Sequence, residues 1–313
     1  MEQGLTLEMA KTTSPMRSIE QYKRGTEMTT RHMSSSHGTT SYFTSLYITG
    51  AARGIGRELA FGFSKLGAKV VCLDINEIGN RETATIIKQN GGTAADYKCD
   101  VTKKDQVKNV HKKVVQDLGP VDILINNAAI AWGYSYINPF EDQFIENLIN
   151  VNLMGQFWMN REILPSMLER NSGHIVAISS MSSMFGIPGA SAYMSSKCAI
   201  NGMMECLESE IRYLNSNLRT TTILPYFVKT SPKITARLHS KLSEIPTEIA
   251  VDEMMKGILE ERRVFSIPGL FLPIVSFVRL LPDDLQNVFN KITDIRITLD
   301  EYDLEIFKKY IRK

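Results

Sequence analysis

The 313-residue sequence predicts an α/β fold, a doubly wound parallel sheet with helices on both faces. Three observations carry that prediction. Six short apolar runs recur along the chain, segments with helical patterning separate them, and the first run leads straight into a loop with three glycines. The runs are apolar and often β-branched throughout rather than alternating apolar with polar, as strands covered on both faces require. Parallel neighbours need a helix-length crossover between them, and each gap is long enough for one.

The elements follow in order. Residues 1–44 are rich in Ser, Thr and Met, carry scattered charge and show no sustained periodicity, so they read as a disordered tail. Glu2, Glu8, Glu20 and Glu27, with no apolar stretch beside them, argue against a secretory signal and fit a transit peptide poorly. Strands are expected at 46–49, 69–74, 95–100, 121–126, 174–180 and 220–224. Helices are expected at 55–66, 78–90, 103–118, 140–170 and 192–214. Residues 45–262 thus form one Rossmann-type domain. Residues 263–313 leave the alternation and cap one sheet edge. Within them, 264–281 is apolar but interrupted by Pro268, Gly269, Pro273 and Arg279, so it is no plain membrane span. A lid over a substrate, an element lying on a membrane surface and a buried helix pair all fit it.

Composition excludes some classes of function. Lys and Arg number 36 against 34 Asp and Glu, a net charge of +2, which argues against nucleic acid as a partner. The cysteines Cys72, Cys99, Cys198 and Cys206 form no C-x-x-C pair and read as buried thiols of a reducing compartment. Cys198 and Cys206 share an expected helix about 12 Å apart along its axis, too far to bridge. The five histidines lack ligand spacing, so no metal is expected.

The glycine loop, Y-I-T-G-A-A-R-G-I-G-R at 47–57, carries chemistry. A strand feeding a glycine turn into a helix builds an anion site, because glycine lets the backbone approach a ligand and the helix N-terminus presents free N–H groups. Gly50, Gly54 and Gly56 would make room for a dinucleotide. Asp74 ends the next strand 18 residues beyond Gly56. A carboxylate there accepts from the adenosine ribose hydroxyls and repels a 2′-phosphate, which selects NAD over NADP. Arg53, inside the loop, either pulls toward NADP or is a solvated loop charge. Asp100 either binds the adenine amino group or caps a loop.

A second constellation lies further on. Tyr193 and Lys197, in Y-M-S-S-K, sit four apart and share a helix face, where an ammonium would favour the phenolate. Ser180 lies thirteen residues before the tyrosine, at the end of an expected strand, where its hydroxyl reaches a substrate oxygen.

With these residues in view the chain resembles the short-chain dehydrogenase/reductase family. The matching motifs are T-G-A-A-R-G-I-G (residues 49–56), N-N-A-A (126–129), V-N-L-M-G (151–155), Ser180 and Y-M-S-S-K, in family order over about residues 46–230. The resemblance implies that Tyr193 is the general acid and base, that Lys197 lowers its pKa and binds the nicotinamide ribose, that Ser180 orients substrate and that Asn152 completes a tetrad through a water. Asn152 also reads as a helix residue satisfying a neighbouring backbone. By the same resemblance Gly50, Arg53, Gly54, Ile55, Gly56, Asp74, Asp100, Val101, Asn126, Ala128, Val228 and Thr230 line the cofactor, with Asn126 supporting the sheet. Ala129 departs from N-N-A-G, and Tyr226 stands where many relatives have glycine after Pro225.

Softer signals, P-x-F-V-x-T at 225–230 and N-P-F around Pro139, resemble the epidermal retinol dehydrogenases and the lipid-droplet 17-beta-hydroxysteroid dehydrogenases. That implies an NAD-dependent dehydrogenase of a lipophilic alcohol, a homodimer built on the long helices, and attachment to endoplasmic reticulum or lipid-droplet surfaces. The polar amino terminus departs from the anchoring helix of that group and leaves a cytoplasmic protein open. Tyr226, Phe227, Ile234, Leu238, Phe265, Ile267, Leu270, Phe271 and Phe277 would give an apolar lid, or a core or subunit interface. An NADP-dependent carbonyl reductase using Arg53 and a non-catalytic dinucleotide-binding sensor or scaffold are the competing readings.

Overall fold

The computed structural model describes residues 44–130, 142–187, 189–230 and 238–297. The tail reading for residues 1–43 and the expectations for Pro139, Phe140 and Ile234 lie outside the described residues. Strand β1 (Ser45–Thr49) is followed by α1 (Gly54–Lys65), β2 (Lys69–Asp74), α2 (Glu77–Gln89), β3 (Thr93–Lys98), α3 (Lys104–Leu118) and β4 (Ile123–Asn126). Next come α4 (Asp142–Ile149), a π-helical turn (Asn150–Met154), α5 (Gly155–Glu169), β5 (His174–Ile178), α6 (Ser191–Tyr213) and β6 (Arg219–Pro225). The chain continues through β7 (Leu238–His239), α7 (Thr247–Leu259), β8 (Val264–Ile267), α8 (Phe271–Val278), α9 (Asp283–Thr293) and β9 (Arg296–Ile297).

Seven strands form one parallel sheet in the order β3-β2-β1-β4-β5-β6-β8. Their side chains divide by the two-residue period of a strand. Leu46, Ile48, Val70 and Cys72 face a core shared with α1, α2 and α7, while Tyr47, Val71 and Leu73 face the core beneath α3, α5 and α6. The order reverses between β1 and β4, and in such sheets the crevice at the carboxyl ends of those strands is where ligands bind.

Two expectations need correction. The alternation does not stop after β6, because Val264–Ile267 pairs in parallel with β6 as the edge strand of the sheet. A boundary at 262/263 therefore falls just before a sheet strand, and the first four residues of 264–281 belong to the sheet. The crossover into β8 carries α7 on the α1 face, although the step continues in the β4-β5-β6 direction, so its hand is opposite to the five before it. The thiols also differ from expectation: Cys72 and Cys99 are buried, but Cys198 and Cys206 on α6 are exposed.

The first residue of β5 carries a stability consequence. His174 is buried, with Nε2 2.8 Å from Thr221 Oγ1. The Thr221 hydroxyl donates its one proton to the Arg262 carbonyl, so His174 donates from Nε2. Burial, with Arg219 nearby, holds its pKa down at about 4. The unfolded chain, near 6.5, binds a proton that the fold rejects. Stability present above pH 6.5 is therefore lost as pH falls toward 4, by about 3 kcal/mol in all. Chemical denaturation of wild type and His174→Gln at pH 7 and pH 4.5 should show a markedly shallower pH slope in the variant; equal slopes would remove His174 as the cause.

Candidate active site

The glycine loop leaves β1 through Gly50, whose φ of 71° an L side chain rarely adopts. Its N–H donates to the Leu73 carbonyl at 2.7 Å, tying the loop to β2. Gly54, with φ 56°, opens α1. Arg53 at the N-cap contributes no capping side chain, so no side chain competes for the first-turn N–H groups. A Cβ on Gly54 would meet only the Thr230 side chain, at 3.7 Å, and the backbone there stays open to a phosphate. That open, uncapped helix start fits a dinucleotide pyrophosphate.

Gly56 serves another purpose than expected. A Cβ there would sit 2.5 Å from Asn127 Nδ2 and closer still to the Gly50 carbonyl oxygen. Its need for glycine is set by the protein's own packing rather than by a ligand. The Asn127 amide donates to the carbonyls of Thr49 at 2.8 Å and Gly50 at 3.2 Å. Thr49 Oγ1 accepts from the backbone N–H groups of Asn127 and Ala128, each at 3.0 Å. Asn127 and Thr49 thus staple the loop to the end of β4, a role the sequence reading did not assign. Asn126 instead points away, its amide donating to Asn160 Oδ1 at 2.8 Å in the buried core. The second asparagine of the N-N pair was the signal available for Asn127.

Asp74 is held by two backbone donors, Ala52 N–H at 3.0 Å and Asn76 N–H at 2.8 Å, one to each carboxylate oxygen. It bridges the glycine loop and the start of α2. Arg53 is exposed, and its side chain makes no hydrogen bond or ion pair among the described residues. Asp100 lies two residues beyond β3, where Oδ1 accepts from the N–H and hydroxyl of Thr102 at 2.9 and 2.7 Å. The loop-capping reading of Asp100 is therefore satisfied, and its second oxygen remains available. Val101 is buried beside Gly155, which has no room for a Cβ against it.

Asn152 sits in the π-helical turn, fully buried. Its Oδ1 accepts from Ile130 N–H at 2.8 Å, and its Nδ2 donates to the Ile130 carbonyl and to Ser196 Oγ, both at 3.1 Å. The amide splints the segment after β4 to α6, which is the backbone-satisfying role. The local widening of the helix turns the side chain inward, as π turns at functional sites do.

Ser180, Tyr193 and Lys197 come together. Ser180 caps a short 3-10 turn (Met181–Ser183), its Oγ accepting from Ser182 N–H at 3.1 Å. The Ser180 hydroxyl faces the Tyr193 phenol and favours its ionised form. Ser179 Oγ bonds the Lys197 carbonyl at 3.1 Å and Asn201 Oδ1 at 2.6 Å, while Asn201 reaches Ser183 Oγ at 2.9 Å. This network fixes the β5 end against α6. Lys197 Nζ lies 5.6 Å from the Tyr193 ring centre and donates to the Ile178 carbonyl at 2.8 Å.

The electrostatics differ from the expectation that Lys197 pulls the phenol down. Tyr193 is half-buried as a residue, burial around its phenol pushes its pKa up, and Ser180 is the group working against that. Burial likewise lowers Lys197 to about 7. An amine without a neighbouring carboxylate is costly to keep charged out of water, so it offers Tyr193 less positive charge than a solvated lysine would.

A cleft of about 170 Å³ gathers Ile55, Ser180, Tyr193, Lys197, Val228 and Thr230 at its wall. Phe185, Ile187, Tyr226 and Phe227 make the rest of it largely apolar, and the Ala129 methyl lines it too. Asp74, Asp100 and Asn126 are not on this wall.

The chain is similar to known proteins. A family model described as short chain dehydrogenase matches residues 44–241. Short-chain dehydrogenase/reductase family 16C member 6 of Bos taurus is 38% identical over 259 residues, covering 82% of this chain and 78% of the relative. Human epidermal retinol dehydrogenase 2 is 34% identical over 239 residues, covering 75% and 77%. Human estradiol 17-beta-dehydrogenase 11 is 35% identical over 237 residues, covering 75% and 78%. A crystal structure of a metagenomic short-chain oxidoreductase in complex with NADP superposes with a TM-score of 0.61 at 24% identity, covering 71% of this chain and 94% of that one.

Proposed function

Because the chain belongs to the short-chain dehydrogenase family and is an NAD(P)-dependent oxidoreductase, we propose that it interconverts a lipophilic alcohol and its carbonyl with NAD and uses Tyr193 as general acid and base. The observation that carries this reading is one apolar cleft into which Ser180, Tyr193 and Lys197 all project. The nicotinamide cofactor supplies a hydride acceptor or donor when bound. Gly54 and the first turn of α1 would hold its phosphates, Asp74 its adenosine ribose, Lys197 its other ribose, and Val228 and Thr230 its carboxamide.

The chain's own part in oxidation is proton transfer and positioning. Ser180 holds the alcohol oxygen, and Tyr193, as phenolate, takes the hydroxyl proton as hydride leaves the carbinol carbon, so that the carbonyl keeps the O–H electron pair. In reduction the same proton returns from Tyr193 to the carbonyl oxygen. Ser180 stabilises whichever oxygen carries the developing charge. A panel of retinoid, steroid and fatty alcohols with NAD tests the proposal. Turnover of one of these lipophilic alcohols is expected; turnover of polar alcohols alone would overturn the substrate class.

Asp74 supports NAD over NADP. Its carboxylate is pinned by two backbone N–H groups and cannot swing away from a 2′-phosphate. Asp74→Asn keeps an accepting oxygen but removes the charge. The ratio of kcat/KM for NADP over that for NAD should rise roughly 10–100-fold, with Arg53 then free to pair with the phosphate. A wild-type preference for NADP would reverse the assignment.

Two further readings rest on exposure. Leu270, Ile274, Phe277 and Leu280 are exposed on and beside α8, as are Leu285, Val288 and Ile292 on α9. They support a C-terminal apolar lid or an element resting on an endoplasmic reticulum or lipid-droplet surface. Among the described residues no helix is long and apolar enough to cross a membrane. Ile145, Phe157 and Tyr213, exposed on α4, α5 and α6, support a homodimer through those helices. Flotation with lipid vesicles and light scattering in solution test the two.

A further inference from the structure

The cleft has one wall that the chemistry above does not use. Pro225 ends β6, and the next residue is Tyr226. Tyr226 is buried and lines the same cleft as Ser180 and Tyr193. Its ring is clamped on three sides. It packs edge to face with Phe227 at 5.0 Å and with Phe271 of α8 at 5.2 Å between ring centres. Its hydroxyl is 2.7 Å from Ser240 Oγ. Ser240 Oγ is itself fixed, accepting from Leu242 N–H at 3.0 Å. Swinging the ring aside would break this bond and open two aromatic contacts.

The position is therefore a rigid phenol ring where a glycine would leave open space. The remaining cleft, about 170 Å³, must take both the nicotinamide end of the cofactor and the reacting carbon. A primary carbinol carbon bears one chain and two hydrogens, and needs room on one side. A secondary alcohol on a fused ring bears carbon on both sides, tied back rigidly, and needs room on two. We infer that Tyr226 is a specificity-determining residue that selects primary alcohols and excludes secondary alcohols carried on a fused ring, an assignment that rests on the oxidoreductase reading above. Ser240 positions the ring and touches no reacting atom.

Steady-state kinetics with saturating NAD test this, using farnesol as the primary alcohol and estradiol as the fused-ring secondary alcohol. Wild type is expected to favour farnesol over estradiol in kcat/KM by about tenfold or more. Tyr226→Gly should move that ratio toward estradiol by about tenfold or more, and Ser240→Ala, which only unlatches the ring, by about threefold. General damage to the fold would lower both substrates together and leave the ratio alone. If Tyr226→Gly does not fold, the wild-type ratio and Ser240→Ala decide. A wild type that oxidises estradiol as well as farnesol, or a ratio unmoved by the variants, overturns the assignment of Tyr226 while leaving the enzyme an alcohol dehydrogenase. No turnover of either alcohol by wild type that binds NAD overturns this assignment, and the lipophilic-alcohol reading falls with it only when the retinoid, steroid and fatty alcohols of the wider panel fail as well.

Discussion

Tyr193→Phe is expected to lower kcat about 10²–10⁴-fold, the range that a positioned acid or base contributes. The substitution removes one oxygen and keeps the ring. The ring's contact with Lys197 Nζ, 5.6 Å from its centre, would persist. Ser180 would keep the Ser182 N–H that fixes its rotamer. The cost to stability should therefore stay near 1 kcal/mol, that of one hydrogen bond. NAD affinity, read by fluorescence titration, should be nearly unchanged, since Asp74 and the α1 start are untouched. A variant that binds NAD like wild type and turns over no substrate assigns the loss to proton transfer. A variant with wild-type kcat would show that some other group moves the proton, and the proposed chemistry would fall.

The pKa directions sharpen that test. In the cleft burial holds Tyr193 protonated and brings Lys197 to about 7, so neither group is poised as a solvated pair would be. The phenolate needed for oxidation must then be favoured by Ser180 and by positive charge brought in with the oxidised nicotinamide. The consequence for the wild type is a kcat for oxidation that climbs with pH.

Much of this was legible before any coordinates. Strands buried on both faces need unbroken apolar runs, and β1, β2 and β5 are such runs. The loop at Gly50–Gly54–Gly56 and the four-residue step from Tyr193 to Lys197 depend only on local geometry, which sequence spacing encodes directly. What escaped depends on distant contacts. Val264–Ile267 merges into the apolar residues of α8, and periodicity cannot divide one run into a four-residue strand and a helix. The face taken by α7 is set by its packing on α1, and no residue type signals it. Asn126 and Asn127 are chemically identical neighbours, and only the end of β4 decides which one turns toward the loop. The dominance of burial over Lys197 at Tyr193 follows from how much protein surrounds them both, which spacing does not report.

Gly56→Ala should be strongly destabilising. The added carbon would overlap the Gly50 carbonyl oxygen and lie 2.5 Å from Asn127 Nδ2. The first is backbone, itself fixed by the Gly50 N–H bond to Leu73. The second is the staple that joins the loop to β4 through Thr49 and Gly50. Neither can yield without α1 lifting from the sheet or the staple breaking. Overpacking of this kind costs about 1–3 kcal/mol, and a lost buried hydrogen bond about 1 kcal/mol more. At about 2–4 °C per kcal/mol for a domain of this size, Tm should fall by about 5–15 °C. The first-turn N–H groups of α1 would move with the helix, so NAD should no longer raise Tm in the variant. Gly54→Ala provides the contrast. Its Cβ would meet only Thr230, at 3.7 Å, and its cost is a left-handed φ of 56°. That strain is about 1–2 kcal/mol, and the fold should survive it. Thermal melts of both variants with and without NAD separate the two roles: the larger loss of stability at Gly54 would mean that packing against Asn127 is not what requires glycine at position 56.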